Sequence, residues 1–322
     1  MLPIYLLVLL GFGVAYGIYE ALDDDDENLD QTITGTEGDD SLTGGPGDDD
    51  MFGLGGNDTM DGLSANDALV AGEGNDLMQG GEGNDRLVGG AGFDIGLGGP
   101  GEDTLRGNED TDILIGGDGD DTLLGNRGDD WLDGQDGDDI VNGGSQSDNL
   151  IGGGGADTLT GEGGDDLLAG GDLLTRALSV GELAALRDAT LSGEGANLPP
   201  GVDYRAGDDG DADVLDAGPG DDMLMFGRGD MATGGPGDDL FYLLGGIAAD
   251  PAQVMDFDGA EDRLIYVHDE GTPEPALSLT DNGDGTQTLV ADGETVAVLA
   301  ATGLTAEDIL FYERGSEPGF VV

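Results

Sequence analysis

Aspartate recurs every nine residues through the first half of this 322-residue sequence. It stands at Asp40, Asp49, Asp58, Asp67, Asp76, Asp85, Asp94, Asp103, Asp112, Asp121, Asp130, Asp139, Asp148, Asp157 and Asp166, and the series resumes at Asp213, Asp222, Asp230 and Asp239. Asp and Glu together number 71 against nine Lys plus Arg, a net charge of −62, with no cysteine and a single histidine, His268. Disulfides, zinc–thiolate sites and thiol nucleophiles are thereby excluded, as is a site built from several histidines. The donors that remain are hard oxygens, which suit Ca²⁺ or Mg²⁺ rather than transition metals. Nucleic-acid binding needs a basic face and is ruled out as a main role, and docking on anionic headgroups is disfavoured. A chain this acidic repels itself and, left alone, reads as disordered. A multivalent cation removes that obstacle.

The residues around each aspartate say how it is positioned. With Asp as position 6 of a nonapeptide, position 1 is Gly in 14 of 15 units (Ala71 departs), and position 4 is Gly in 12 (Ala65, Asp110 and Gln146 depart). Position 8 is Leu, Met or Val in 14, with Gly96 the exception. Glycines at 1, 2 and 4 permit φ > 0 and close backbone approach, so positions 1–6 read as a turn. Positions 7–9 read as a short strand with position 8 on one face. Two units facing each other across position 8 make an 18-residue coil, and stacked coils pair as parallel ladders with right-handed crossovers. The expected fold is all-β: a right-handed parallel β-roll solenoid with a short helical insertion and a C-terminal β cap. Equivalent aspartates then line two edges, stacked about 4.8 Å apart. Ca²⁺ between neighbours bridges such carboxylates, with turn carbonyls (those of Gly38, Gly47, Gly74, Gly83, Gly119, Gly128 and Gly137 among them) completing its shell. Mg²⁺ fits less well because it demands small, near-ideal octahedra. If every neighbouring pair on an edge shares an ion, the first block holds at most about 13, at the spacing of stacked strands.

The unit Gly80-Gly81-Glu82-Gly83-Asn84-Asp85-Arg86-Leu87-Val88 follows G-G-x-G-x-D-x-U-x. The sequence resembles the RTX, or hemolysin-type, calcium-binding family over at least residues 35–172. The resemblance implies multiple Ca²⁺ ions, folding after export, and a Gram-negative bacterial source. The stretch Val254-Met255-Asp256-Phe257-Asp258, followed by Glu261-Asp262-Arg263-Leu264, resembles the closing segment of such proteins, so Asp256, Asp258 and Asp262 are candidates for one more ion.

The remaining segments divide as follows. Residues 1–22 hold an uncharged apolar run, Leu2 to Tyr19, which reads as a membrane anchor with a cleaved signal as the rival. Either places the rest of the chain at the cell surface, in the periplasm or outside. Residues 23–34 are an acidic linker and 35–172 the roll. Residues 173–206 are an insertion whose helix is capped by Ser179 and Glu182 and packs on the roll's flank. A second repeat block spans 207–245. A β-rich cap spans 246–322, with hairpins read from the runs Leu264–Val267, Ala276–Leu279, Thr288–Ala291 and Thr295–Leu299. Members of the family carried by type I export end in short apolar tails like Gly319-Phe320-Val321-Val322 and lack N-terminal apolar signals, so Leu2 to Tyr19 departs from that pattern.

Catalytic motifs are absent from this reading. Gly96-Leu97-Gly98-Gly99-Pro100-Gly101 is a by-product of the repeat, and Asp209-Gly210-Asp211-Ala212-Asp213 lacks the Gly and the bidentate Glu of an EF-hand. His268 reads as a strand-end residue, and Trp131, at outward position 7, as a solvent-facing or lateral packing residue with a sugar-binding platform as the rival. The expected function is calcium binding without catalysis. The alternative is a calcium-stiffened surface adhesin that meets a surface protein or polysaccharide through the insertion or the C-terminal region.

Overall fold

The computed structural model describes residues 30–171, 183, 210–245, 250–268 and 273–313. The apolar run 2–19, the 173–206 insertion apart from Leu183, and the C-terminal tail expected from the sequence lie outside these residues. Among the described residues no helix is long and apolar enough to cross a membrane.

Each nonapeptide contributes one strand. The first two, β1 (Thr32–Thr34) and β2 (Ser41–Thr43), are three residues long. Six-residue strands follow every nine residues, from β3 (Asp50–Gly55) to β15 (Thr158–Gly163). Up to β22 (Arg263–His268), odd and even strands part into two sheets, which hold 14 and 12 strands in all. Through the first block the register within each is i to i + 18, as in Leu69 with Leu87 and Leu105 with Leu123. That register stacks position 8 on position 8, so Met51, Leu69, Leu87, Leu105 and Leu123 meet Met60, Met78, Leu114 and Leu132 in one buried column. Gly96 leaves no gap there, because Leu87, Leu105 and Leu114 close around its Cα. The result is the parallel β-roll the spacing predicts.

The insertion does not interrupt the stack. β15 pairs directly with β17 (Val214–Asp216), and β16 (Leu167–Ala169) with β18 (Met223–Phe226), with Leu159 opposite Leu215 and Leu168 opposite Leu224. The intervening chain lies in sequence between β16 and β17. Leu183 is helical. It is buried on the outer face of the even sheet against Phe93, Ile95, Ile113 and Ile115. Farther along this face Ile151, Met225, Ile265 and Val267 form a second apolar cluster, and Trp131 packs against both.

At the C-terminal end β21 (Ala252–Val254) is followed in its sheet by β25 (Glu294–Leu299), β24 (Gln287–Ala291) and β23 (Leu277–Asp281), the last three antiparallel. The segment Leu264–Val267 forms no hairpin. It lies in β22 (Arg263–His268), which continues the other sheet in parallel between β20 (Leu240–Leu244) and β26 (Ile309–Glu313). A short apolar run carries no record of strand direction, and here the parallel stacking outlasts the repeat that announced it, with Leu240 opposite Arg263 and Leu264 opposite Ile309.

Candidate metal centres

Two aspartate ladders run along the roll's edges. In one, the main-chain N–H of Asp40 donates to Oδ1 of Asp58, that of Asp58 to Asp76, and so on through Asp94, Asp112, Asp130, Asp148 and Asp166, at 2.7–2.9 Å. The other runs through Asp49, Asp67, Asp85, Asp103, Asp121, Asp139 and Asp157 at 2.6–2.8 Å. Both cross the insertion: Asp157 N–H reaches Asp213 at 2.9 Å and Asp166 N–H reaches Asp222 at 2.7 Å, 56 residues on. Asp213 then bonds Asp230, and Asp222 bonds Asp239, with a step of 17. Every aspartate of the two repeat blocks predicted from the sequence is therefore in a ladder, and all are buried.

One oxygen per carboxylate is accounted for by this bond. The other, Oδ2, is buried and accepts no hydrogen bond in Asp58, Asp67, Asp85, Asp103, Asp112, Asp121, Asp130, Asp139, Asp148, Asp166, Asp222 and Asp239. Position 1 is glycine because of what lies beside that oxygen. A Cβ at Gly125 or Gly134 would strike the Oδ2 of its own turn's aspartate and the carbonyl oxygen of Gly143 or Gly152 in the next coil. Two acceptors thus share a small space with no donor between them. Such a space calls for a cation, and oxygens drawn from two coils suit calcium's adaptable shell.

Position 4 is glycine for a different reason. Gly74, Gly83, Gly119, Gly128 and Gly137 have φ between +124° and +152°. A Cβ on any of them would collide with the position-4 carbonyl of the preceding coil. These carbonyls thus point along the stack beside the ladders. Gly38 and Gly47 occupy the same position in the first coil. Ala65, Asp110 and Gln146 adopt left-handed φ of +84°, +73° and +82° all the same. The turn geometry is kept where its preferred residue is missing, at a cost of about 1–2 kcal/mol for each.

Burial raises the carboxyl pKa values. Asp112 is pushed up to about 9, by desolvation first and the neighbouring Asp94 charge second. Asp148 rises to about 8, and Asp121, Asp130 and Asp222 to about 7, also chiefly through desolvation. A cation between the carboxylates supplies the opposite charge that offsets this penalty.

Sequence reasoning missed a second ladder. The side chain at position 5 accepts the position-5 N–H of the following coil, as Asn57 does from Asn75 at 2.8 Å and Asn66 from Asn84 at 2.8 Å. Its signal was present, since position 5 is Asp or Asn in 10 of the first 15 units. The two ladders run in opposite directions and together hold each turn to both neighbours.

The extra ion expected from Asp256, Asp258 and Asp262 does not find its site. Asp262 extends the ladder, receiving Asp239 N–H at 3.2 Å, and its other oxygen receives Asp258 N–H at 2.6 Å. Asp256 turns to Gly234 and Gly235 N–H instead. Among the described residues no three acidic, histidine or cysteine side chains gather round one point. The oxygens that meet along the ladders are carboxylates and main-chain carbonyls.

The family model for the RTX calcium-binding nonapeptide repeat matches residues 27–60, 61–96, 93–123, 115–150, 143–172 and 208–230, just over half of the chain. No curated protein matches it.

Proposed function

As a member of the RTX calcium-binding nonapeptide-repeat family, this chain is a calcium-binding repeat protein on a β-solenoid, and we propose that it folds on binding Ca²⁺, works outside the cytoplasm and is not an enzyme. The observation that carries the reading is the row of buried Oδ2 atoms with no donor to meet them.

Energetics support the coupling. Burying one Leu per nonapeptide contributes about 1.5–3 kcal/mol. Ordering nine residues costs about 1 kcal/mol or more for each. Burying a carboxylate whose Oδ2 lacks a partner adds to the deficit. Ion binding to the folded state alone offsets it, so folding and binding become one event. Extracellular calcium modules are tuned to roughly 10⁻⁴–10⁻³ M. At cytosolic calcium such a chain stays unfolded, and it folds on reaching the outside.

The described residues offer little to catalysis. The ladder aspartates are buried beneath their turns. His268 closes a strand with its ring 6.4 Å from that of Phe311, edge to face.

The test is a calcium titration of the full chain followed by far-UV circular dichroism, with magnesium as control. A cooperative gain of β signal at sub-millimolar to millimolar calcium, reversed by chelator, is expected. An unchanged spectrum overturns calcium-coupled folding. Cell fractionation tests the location: recovery from periplasm, surface or medium is expected, and recovery from the cytosol overturns that part.

A further inference from the structure

The turns along the two edges do not all treat their aspartate alike. In the first coil Asp40 Oδ2 receives Thr36 N–H at 2.5 Å and the Thr36 hydroxyl at 2.8 Å. Asp49 Oδ2 receives Gly45 N–H at 2.6 Å, while its Oδ1 receives Gln31 N–H at 2.6 Å. In the short turn of the second block, Gly227 N–H donates to Asp230 Oδ2 at 2.5 Å. These three aspartates are absent from the set whose Oδ2 lacks a partner.

The backbone of position 2 separates the classes. Thr36 and Gly45 lie outside the left-handed region. From the second coil onward position 2 is left-handed in every turn of the first block, from Leu54 at +83° to Glu162 at +72°, and again at Gly218 and Gly235. A left-handed residue turns its peptide away from the carboxylate. Gly153 N–H, for example, donates along the sheet to Gly170 O at 2.8 Å. Strand length follows: β1 and β2 stop before their turns, whereas β3 to β15 run on into theirs.

We propose that the roll has two classes of turn and that only one takes calcium. Turns ending in Asp40, Asp49 and Asp230 are closed by their own main chain and stand without an ion. Turns with a left-handed second residue, such as those ending in Asp67, Asp121, Asp139 and Asp239, leave an oxygen that only a cation can satisfy. The first coil is then an ion-independent end for the stack. The proposal rests on the calcium reading above and narrows it to particular turns.

The experiment counts bound calcium per chain in the full-length protein after free ion is removed, for the native sequence, Asp40→Asn and Asp121→Asn. An amide oxygen at residue 40 still accepts from Thr36, so Asp40→Asn is expected to keep the native count. Asp121→Asn is expected to lose at least one ion. Equal losses in both variants overturn the two classes and leave calcium binding intact. A native protein that retains no calcium overturns the calcium reading itself. Crystals grown in calcium decide without any variant: anomalous peaks beside Asp121 and Asp139, with none at Asp40 or Asp49, are expected. A peak coordinated by Asp40 or Asp49 overturns the assignment.

Discussion

The roll and its C-terminal end solve the same packing problem with different means. In the roll, each coil buries two carboxylates and, except at Gly96, two aliphatic side chains. At the C-terminal end the core widens. Phe226, Phe241 and Phe257 stack with centroids 6.2 and 5.7 Å apart, and Leu289, Val296, Ala297 and Leu299 pack with them. Buried Gln287 bonds both the carbonyl and the N–H of Leu304, at 3.0 and 2.9 Å. Arg228, 7 % exposed, reaches across to Glu294 at 3.7 Å. One region is held by bonds along its edges, the other by its interior. The roll's stability should therefore follow calcium, and the cap's should follow apolar area.

Calcium withdrawal sharpens that contrast most. Under chelator, amide exchange is expected to rise by orders of magnitude at Leu69, Leu105, Leu123 and Leu159, while Leu289 and Ala297 retain measurable protection. Equal exchange in both regions would break the comparison and make the cap depend on the ions as well.

A core truncation asks the converse question. Leu289→Ala empties a fully buried position of the cap and is expected to cost about 2–5 kcal/mol. The loss should be read from denaturant midpoints of the C-terminal region and should be similar with and without calcium. A loss confined to calcium-loaded protein would tie this core to the ladders.

How far the sequence already disclosed this contrast varies along the chain. The nine-residue period contains the register, because position 8 must stack on position 8 for any core to exist. It therefore contains both aspartate ladders. The splice at Asp157 and Asp166 was hidden, since 56 residues separate partners that are normally 18 apart. The closed turn of Asp49 was hidden too: Gly44-Gly45-Pro46-Gly47 carries the same glycines as the open turns. What distinguishes it is a backbone angle set by the coil's place at the end of the stack. In the cap, alternation reveals strands but leaves their direction open, so the run in β22 reads from sequence as half of a hairpin although it pairs in parallel.

Acidity acts on the roll in opposite directions according to the ion. Asp112, Asp148 and Asp121 sit at about 9, 8 and 7 when folded, against about 3.9 for an unfolded aspartate. A group raised by folding favours the fold below its unfolded pKa and loses that favour as pH climbs through the folded value. Chelated protein should therefore gain β signal as pH falls from 9 towards 4. Calcium needs the charged carboxylates, so the calcium midpoint should fall as pH rises over the same range. Circular dichroism at stepped pH, with and without calcium, checks both slopes. A β signal in chelator, or a calcium midpoint, that does not move with pH would mean that the ladder carboxylates do not titrate with folding, whereas the cap should show neither trend.

The smallest effect concerns strain inside the roll. Ala65, Asp110 and Gln146 hold left-handed backbone at position 4, where glycine adopts it without a Cβ penalty. Replacing Ala65 with glycine removes about 1–2 kcal/mol of native-state strain and returns up to about 1 kcal/mol through the freer unfolded chain. The net gain is expected to be under about 1 kcal/mol, or a few degrees in Tm at fixed calcium. Asp110→Gly should do slightly more, because it also removes one of the negative charges that raise the pKa of Asp112. Both gains should be visible in calcium-loaded protein and lost where the roll is already unfolded by chelator. A destabilised Ala65→Gly protein would show that its methyl group packs to more benefit than its backbone costs, and that position 4 is chosen for contact rather than conformation.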